Sequence, residues 1–423
     1  MKKIRFTLFL SLSIACIASA QITFNKRLDF GFKAAVLTSI VATDSCYYTS
    51  GLVLDTLTSF KTGIIFAKFD LEGNLISNKT MIDSSKNILA WWNTLTNIPD
   101  SSGFYLTAQT INDTFYTILL LRLTPEGEIT ETHEYFAVPG ESILNNSDFI
   151  LRPNGEAFIL NSNLNPTKSS QIQLTSLNQD KSVKWQKSYG GSRKEAAMSI
   201  ALSSNGNIFV GSQRRTPGLN YFIYQTYILV IDSLGEMISY WTTPNTQEAL
   251  YAGAIDMIAL DDNSLVIASG KGYEEILSAY YSTIYMEKSI FKLSPEGEVL
   301  WEVIFDNPEE YHGLYTIPLA LIRLNDGSGY VACGFGKEPD DDYFYHGWIG
   351  KVSAEGDSLW SRNYVGLYDE LSENILYDIK ETADGGFLLC GQSRAYNSDP
   401  IPQQAWLLKL DEYGCLVPGC QLY

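Results

Sequence analysis

The chain has 423 residues, with 48 Asp and Glu against 30 Lys and Arg, and a formal net charge of −18. A surface this acidic is repelled by phosphate backbones and anionic lipid, which excludes nucleic acid and bare membrane as partners. Charged residues are sparse, whereas 26 Tyr and 20 Phe favour strands over helices.

The first element is a leader. Lys2, Lys3 and Arg5 precede an apolar run over 6–17, and Ala18-Ser19-Ala20 supplies small residues before Gln21. This is the three-part plan of a secretory signal, residues 1–20, with cleavage after Ala20. The apolar run falls short of the roughly 20 residues that span a bilayer. Ser13-Ile14-Ala15 is a poor lipid-attachment box ahead of Cys16. No later segment is long and apolar enough to span, so the expectation is an exported chain with no integral membrane segment after cleavage.

Two phrases then alternate along residues 21–423. One is a turn with a following apolar run: TDSCYYTSG (43–51), SSGFYLTA (101–108), PNGEAFIL (153–160), SNGNIFVG (204–211), DDNSLVIA (261–268), NDGSGYVACG (325–334) and ADGGFLLCG (383–391). The other is carried by a glycine at 73, 127, 235, 297, 356 and 414, with Lys181 in the equivalent place. KLSPEGEVLWEV (292–303) and KVSAEGDSLWSR (351–362) are its clearest copies. Asn-Gly and Asp-Gly permit the positive φ of tight hairpin turns, and two hairpins in succession make a four-stranded meander. A lone meander cannot bury both faces but stacked copies can, and such repeats are the signature of propeller blades. The expected fold is all-β: a single domain over 21–423, a seven-bladed β-propeller of four-stranded antiparallel blades. An eight-bladed ring with a degenerate blade, or a β-sandwich pair, are the alternatives. The segment 22–51 lines up with 183–212, where Val183-Lys184-Trp185 begins a fourth strand. Residues 22–28 are therefore expected to complete the last blade and close the ring, protecting its edges.

The pattern K-h-x-x-x-G-x-x-h-W, then SYGGSRKEA (188–196), then DGGFLLCG, resembles the secreted propeller repeats of Gram-negative bacteria. Those repeats are kin in pattern to pyrroloquinoline-quinone-type blades. The ending WLLKLDEYGCLVPGC (406–420) is similar to the tail that precedes a type IX secretion sorting domain, but only Gln421, Leu422 and Tyr423 follow. The resemblance implies a propeller and an extracellular, cell-surface or periplasmic location. The adjacent cysteines and calcium ligands of quinone enzymes are absent, so no cofactor is expected.

Chemistry is thinly signposted. His133, His312 and His346 have no metal or triad neighbour at a telling spacing, and no nucleophile elbow, P-loop or dinucleotide fingerprint occurs. The acidic run EPDDD (338–342) lacks the alternation of a calcium loop and reads as a solvated charge run. Cys46, Cys333 and Cys390 read as small buried residues. Cys415 and Cys420 flank the turn LVPG and are the expected disulfide. Long connections between second and third strands carry tyrosines with flat apolar faces and polar tips. Tyr221, Tyr224, Tyr273, Tyr343, Tyr345 and Tyr396 are the candidate ligand contacts.

The leading expectation is a monomeric, non-enzymatic binding scaffold holding a protein, peptide or glycan on this long-loop face. The alternative is a polysaccharide hydrolase or lyase using channel carboxylates such as Asp256 and Asp378, which lie in first-strand segments. Mass spectrometry of the exported protein is expected to find Gln21 at the mature N-terminus. An intact Met1 would overturn the leader.

Overall fold

The computed structural model describes residues 21–423 apart from 57–58, 112–115, 218–221, 244–249, 279–280, 306–315, 338–344, 367–370, 397–402, 418–419 and 421–423. Among the described residues there is no α-helix, and the strands form successive antiparallel meanders. We name these A (34–81), B (87–135), C (142–189), D (195–242), E (250–304), F (317–364) and G (372–410). Phe24–Leu28 pairs antiparallel with Gln403–Leu410 and so supplies the fourth strand of G. A single parallel bridge, Ala34 to Gln403, joins G to A.

Burial follows strand position. In A the third strand, Thr62–Phe69, is buried along most of its length, whereas the fourth, Leu75–Met81, is almost wholly exposed. Continuous burial means that both faces of a meander are covered. The covering comes from the next meander: Phe66 and Ile64 of A pack with Leu106 and Leu121 of B, and so on through the series. Leu388, Cys390, Ala405 and Leu407 of G pack in turn against Ala35, Leu37, Ile65 and Ala67 of A.

The recurring glycine phrase has a packing cause. Gly356, at φ +95°, sits in the turn before the fourth strand of F, and a Cβ added there would lie 2.5 Å from Trp301 of E. The same pairing joins Gly235 to Trp185, Gly297 to Trp241 and Gly414 to Trp360. Gly73 meets Phe24, whose strand completes G. These five fourth-strand aromatics therefore each lie against the turn of the following meander, where a side chain would displace them. Lys181 holds φ +65° in the equivalent turn, its ammonium donating to the carbonyls of Gly155 and Gln179 at 2.8 Å.

Gly206 is a matched control, at φ +90° with nothing near its missing side chain. Gly206→Ala reports left-handed strain alone, whereas Gly356→Ala adds overpacking against Trp301, together about 1–3 kcal/mol. Urea unfolding should place Gly356→Ala clearly below Gly206→Ala. Equal midpoints would show that the indole contact contributes nothing.

Candidate functional site

The first strand of each meander is interrupted at the same level. Pairing skips Thr38 in A, Ser147 in C, Met198 in D, Leu319 in F and Tyr377 in G, each a one-residue bulge. In B the break is larger, with residues 90–94 standing opposite only Thr107 and Ala108. In E, residues 252–255 stand opposite 269 and 270. A bulge re-aims side chains and frees backbone groups from the ladder.

The freed groups are taken up sideways. Asp148 of C accepts the Ile200 N–H of D at 2.9 Å, Asp256 of E accepts Leu321 N–H of F at 2.7 Å, and Asp378 of G accepts Ile40 N–H of A at 2.8 Å. The second oxygen of each accepts the next N–H of its own strand, from Phe149, Met257 and Ile379. Ser39 of A accepts Leu95 N–H of B at 3.1 Å, and Ser199 of D donates to the Ala254 carbonyl of E at 2.8 Å.

One ammonium serves these carboxylates. Lys380 lies 2.6 Å from Asp378 Oδ1 with about a third of its side chain exposed. Burial alone would lower its pKa, but Asp378 and then Asp256 outweigh that and raise it. Burial, with the Asp256 charge second, holds Asp148 well above the usual carboxylate range. Burial likewise pushes Asp256 up to about 7, against the stabilising N–H of Leu321. Asp256 and Asp378 are thus the two carboxylates that the sequence marks for chemistry. Both have each oxygen committed to backbone, so they join strands rather than await substrate.

The re-aimed side chains enclose a cavity of ≈ 360 Å³ at the leading ends of the first strands. Ser147, Met198, Ile255 and Leu319 line it, and so do Trp91 and Trp92 from the break in B. Trp92 stacks on Tyr377 with planes 3° apart and centroids at 6.3 Å, and Trp91 meets Trp92 edge-on at 5.5 Å. The double-tryptophan loop is tied down. Thr38 Oγ1 donates to the Ala90 carbonyl, Asn93 N–H to the Thr38 carbonyl, and Thr94 Oγ1 to the Trp91 carbonyl. Asn93 holds a left-handed φ of 56° to make the return. Size and lining are those of a small-ligand pocket, roughly 300–1,000 Å³ and mainly apolar.

The tyrosine candidates fare unevenly. Tyr221 and Tyr343 lie outside the described residues, as does the side chain of Tyr224 on strand Phe222–Ile231. Tyr273 stacks on Tyr285 across a hairpin at 4.9 Å. Tyr345 packs edge-on against Phe335, and its phenol is raised by burial and then by Glu373. Tyr396 donates to Glu373 Oε2 at 2.5 Å, and burial followed by that bond pushes it up to about 12. Two of the six thus gather around one carboxylate. Cys415 and Cys420 form a disulfide with Cα atoms 5.7 Å apart, while Cys333 and Cys390 are buried thiols and Cys46 a half-buried one. His133 sits on the fourth strand of B, 3.6 Å from Glu131.

Comparison with known proteins gives fold without family. No family model and no curated protein matches the chain. Among solved structures, the polysaccharide lyase Uly1 aligns with a TM-score of 0.55 at 8% identity, over 93% of this chain and all of that one. The Dos1 propeller aligns at 0.45 and 10% identity, over 88% of this chain and 78% of its own. A Penicillium chrysogenum α-L-arabinanase complexed with arabinobiose aligns at 0.45 and 12% identity, over 74% and 92%. The expectation of a non-enzymatic scaffold is corrected here. The fold of this chain, along nearly its whole length, is one on which a polysaccharide lyase is built, so the fold gives a non-enzymatic scaffold no preference.

The carboxylate links make stability pH-dependent. Asp256 keeps its proton to about 7 when folded, against an ordinary 3.8. Its contribution is full below 3.8 and is lost as pH rises through about 7. Denaturant titrations should show wild type losing stability across that window relative to Asp256→Asn, and parallel curves would refute the assignment. Asp378→Ala strands the N–H groups of Ile40 and Ile379, at about 1–3 kcal/mol each.

Proposed function

We propose that the protein is an exported enzyme acting on polysaccharide, a hydrolase or lyase, which binds one glycosyl unit in the cavity of Trp91 and Trp92. The single observation that carries this reading is that cavity, where two indoles meet amide and hydroxyl groups at the ends of inward-facing strands. A sugar ring offers an apolar C–H face to aromatics and hydroxyls to amides, and this cavity offers both complements. The full-length likeness to a polysaccharide lyase supports the substrate class.

The architecture we propose is one domain over 21–423, seven blades in a ring closed by the N-terminal strand, acting as a monomer outside the cytoplasm. The pairing of Phe24–Leu28 with the last meander supports closure, as do the packing of Phe24 on Gly73 and of G against A. The leader over 1–20 supports export. Rim tyrosines, Tyr345 and Tyr396 with Glu373, extend the surface on which a longer glycan lies. Tyr396 and Glu373 form an exposed pair able to hand over a proton at this end of the strands. Glycoside hydrolysis needs two free carboxyl groups flanking the bond, and elimination needs one base and one acid.

The test is incubation of residues 21–423 with a panel of plant, algal and bacterial polysaccharides. New reducing ends would be measured together with the ultraviolet absorbance of an unsaturated product. Release from at least one polymer is expected, with a loss of about tenfold or more in Trp92→Ala, the scale of one aromatic contact. Reducing ends without new absorbance would assign the hydrolase, and both together the lyase. A folded protein that releases nothing from the panel would sink the enzyme reading.

A further inference from the structure

We infer that the glycosyl unit held against Trp91 and Trp92 is uncharged, a neutral sugar rather than a uronate or sulfated one. This inference rests on the polysaccharide reading above. It begins from the lining, in which every residue is apolar, amide or hydroxyl and none carries a charge. An anionic group entering the cavity would lose its water and meet no cation, an outcome that proteins avoid. The ionisable groups closest in sequence to the lining residues are Asp148, Glu195 and Asp256, one position from Ser147, Ala196 and Ile255, and none of them offers an anion a cation. The ammonium of Lys380 is already bound to Asp378.

A second observation asks for a donor. Asn146 is only 1% exposed and lines the cavity; its amide nitrogen donates to Thr107 Oγ1 at 3.0 Å, and its Oδ1 has no hydrogen-bond partner among the described residues. A buried acceptor without a partner is rare in a folded protein, and a ligand hydroxyl would satisfy it. A carboxylate or sulfate, holding only acceptors, would oppose it. Ser147 is already engaged, donating to the Ala197 carbonyl at 2.8 Å and accepting the amide of Asn145, a second lining residue, at 3.1 Å, while Asn146 keeps an acceptor for the ligand. Trp92, held flat by Tyr377, is placed to cover a sugar face.

The experiment is titration of residues 21–423, by calorimetry and tryptophan fluorescence, with two oligosaccharide sets. One set is neutral: gluco-, manno-, xylo- and arabino-oligosaccharides. The other is anionic: oligouronates and sulfated oligosaccharides. The neutral set is expected to yield a ligand bound at least about tenfold more tightly than any anionic one. Asn146→Leu should lower that affinity about tenfold, while Ile317→Lys, which adds a cation to the wall, should shift preference towards the anionic set. Anionic ligands binding as well as neutral ones in the wild type would overturn the inference. So would Asn146→Leu binding unchanged, since Oδ1 would then be served by water alone. Cleavage of an anionic polymer whose charged unit occupies the cavity would refute this inference and leave the enzyme reading standing. Neutral ligands bound without cleavage of any polymer would do the reverse.

Discussion

A strand buried on both faces must find a partner for every backbone group, and that constraint organises this molecule. The first strands cannot pair in full because each is bulged at the same level. Their surplus N–H groups would be left in a dry interior, where an unpaired donor is costly. Asp148, Asp256 and Asp378 remove the problem by reaching across to the neighbouring strand. The same three contacts bind C to D, E to F, and G to A. Serine links of the same kind bind A to B and D to E.

The device that stabilises the assembly also builds its cavity. A bulged residue cannot follow the alternation of its strand, so Ser147, Met198 and Leu319 turn towards the space between the first strands. Meander B exaggerates the effect by looping out both tryptophans, and E does so with small residues, Ala252 among them. Large side chains on one side and small ones on the other leave a hollow rather than a packed core. Chemistry and stability are thus separated by depth. The carboxylates lie just behind the bulges, tied to backbone, while the cavity wall in front of them carries no charge.

At the outer rim, a different contact does the fitting. Fourth-strand aromatics, Trp185, Trp241, Trp301 and Trp360, cover the glycine turns of the following meanders. Where lysine replaces glycine, at position 181, the turn still takes a positive φ and the ammonium satisfies two carbonyls. The repeat is therefore imperfect in sequence but regular in geometry, because the backbone conformation is what the neighbour packs against.

Much of this fold was legible in residue order, because its signals are local. Asn-Gly or Asp-Gly turns mark C, D, F and G, the Gly-to-Trp phrase is clearest in E and F, and apolar runs flank the turns throughout, each specifying a hairpin within a dozen residues. The alignment of 22–51 with 183–212 even placed Phe24–Leu28 on a fourth strand, its partner being Gln403–Leu410. The candidate site was not legible. Trp91 and Trp92 read as two more aromatics in a strand-rich chain. The signal that could have found them is a first strand in B too long to match its second. Asp256 and Asp378 read as free channel carboxylates, since sequence cannot show that both oxygens of each are occupied. By itself, then, the sequence determined the all-β meanders, the turns and the acidic character of the chain. Only the tertiary structure decided which side chains face the cavity and which carboxylates are tied. Those outcomes depend on where one strand's bulge lies against its neighbour, and that register exists only between segments some fifty residues apart in the chain.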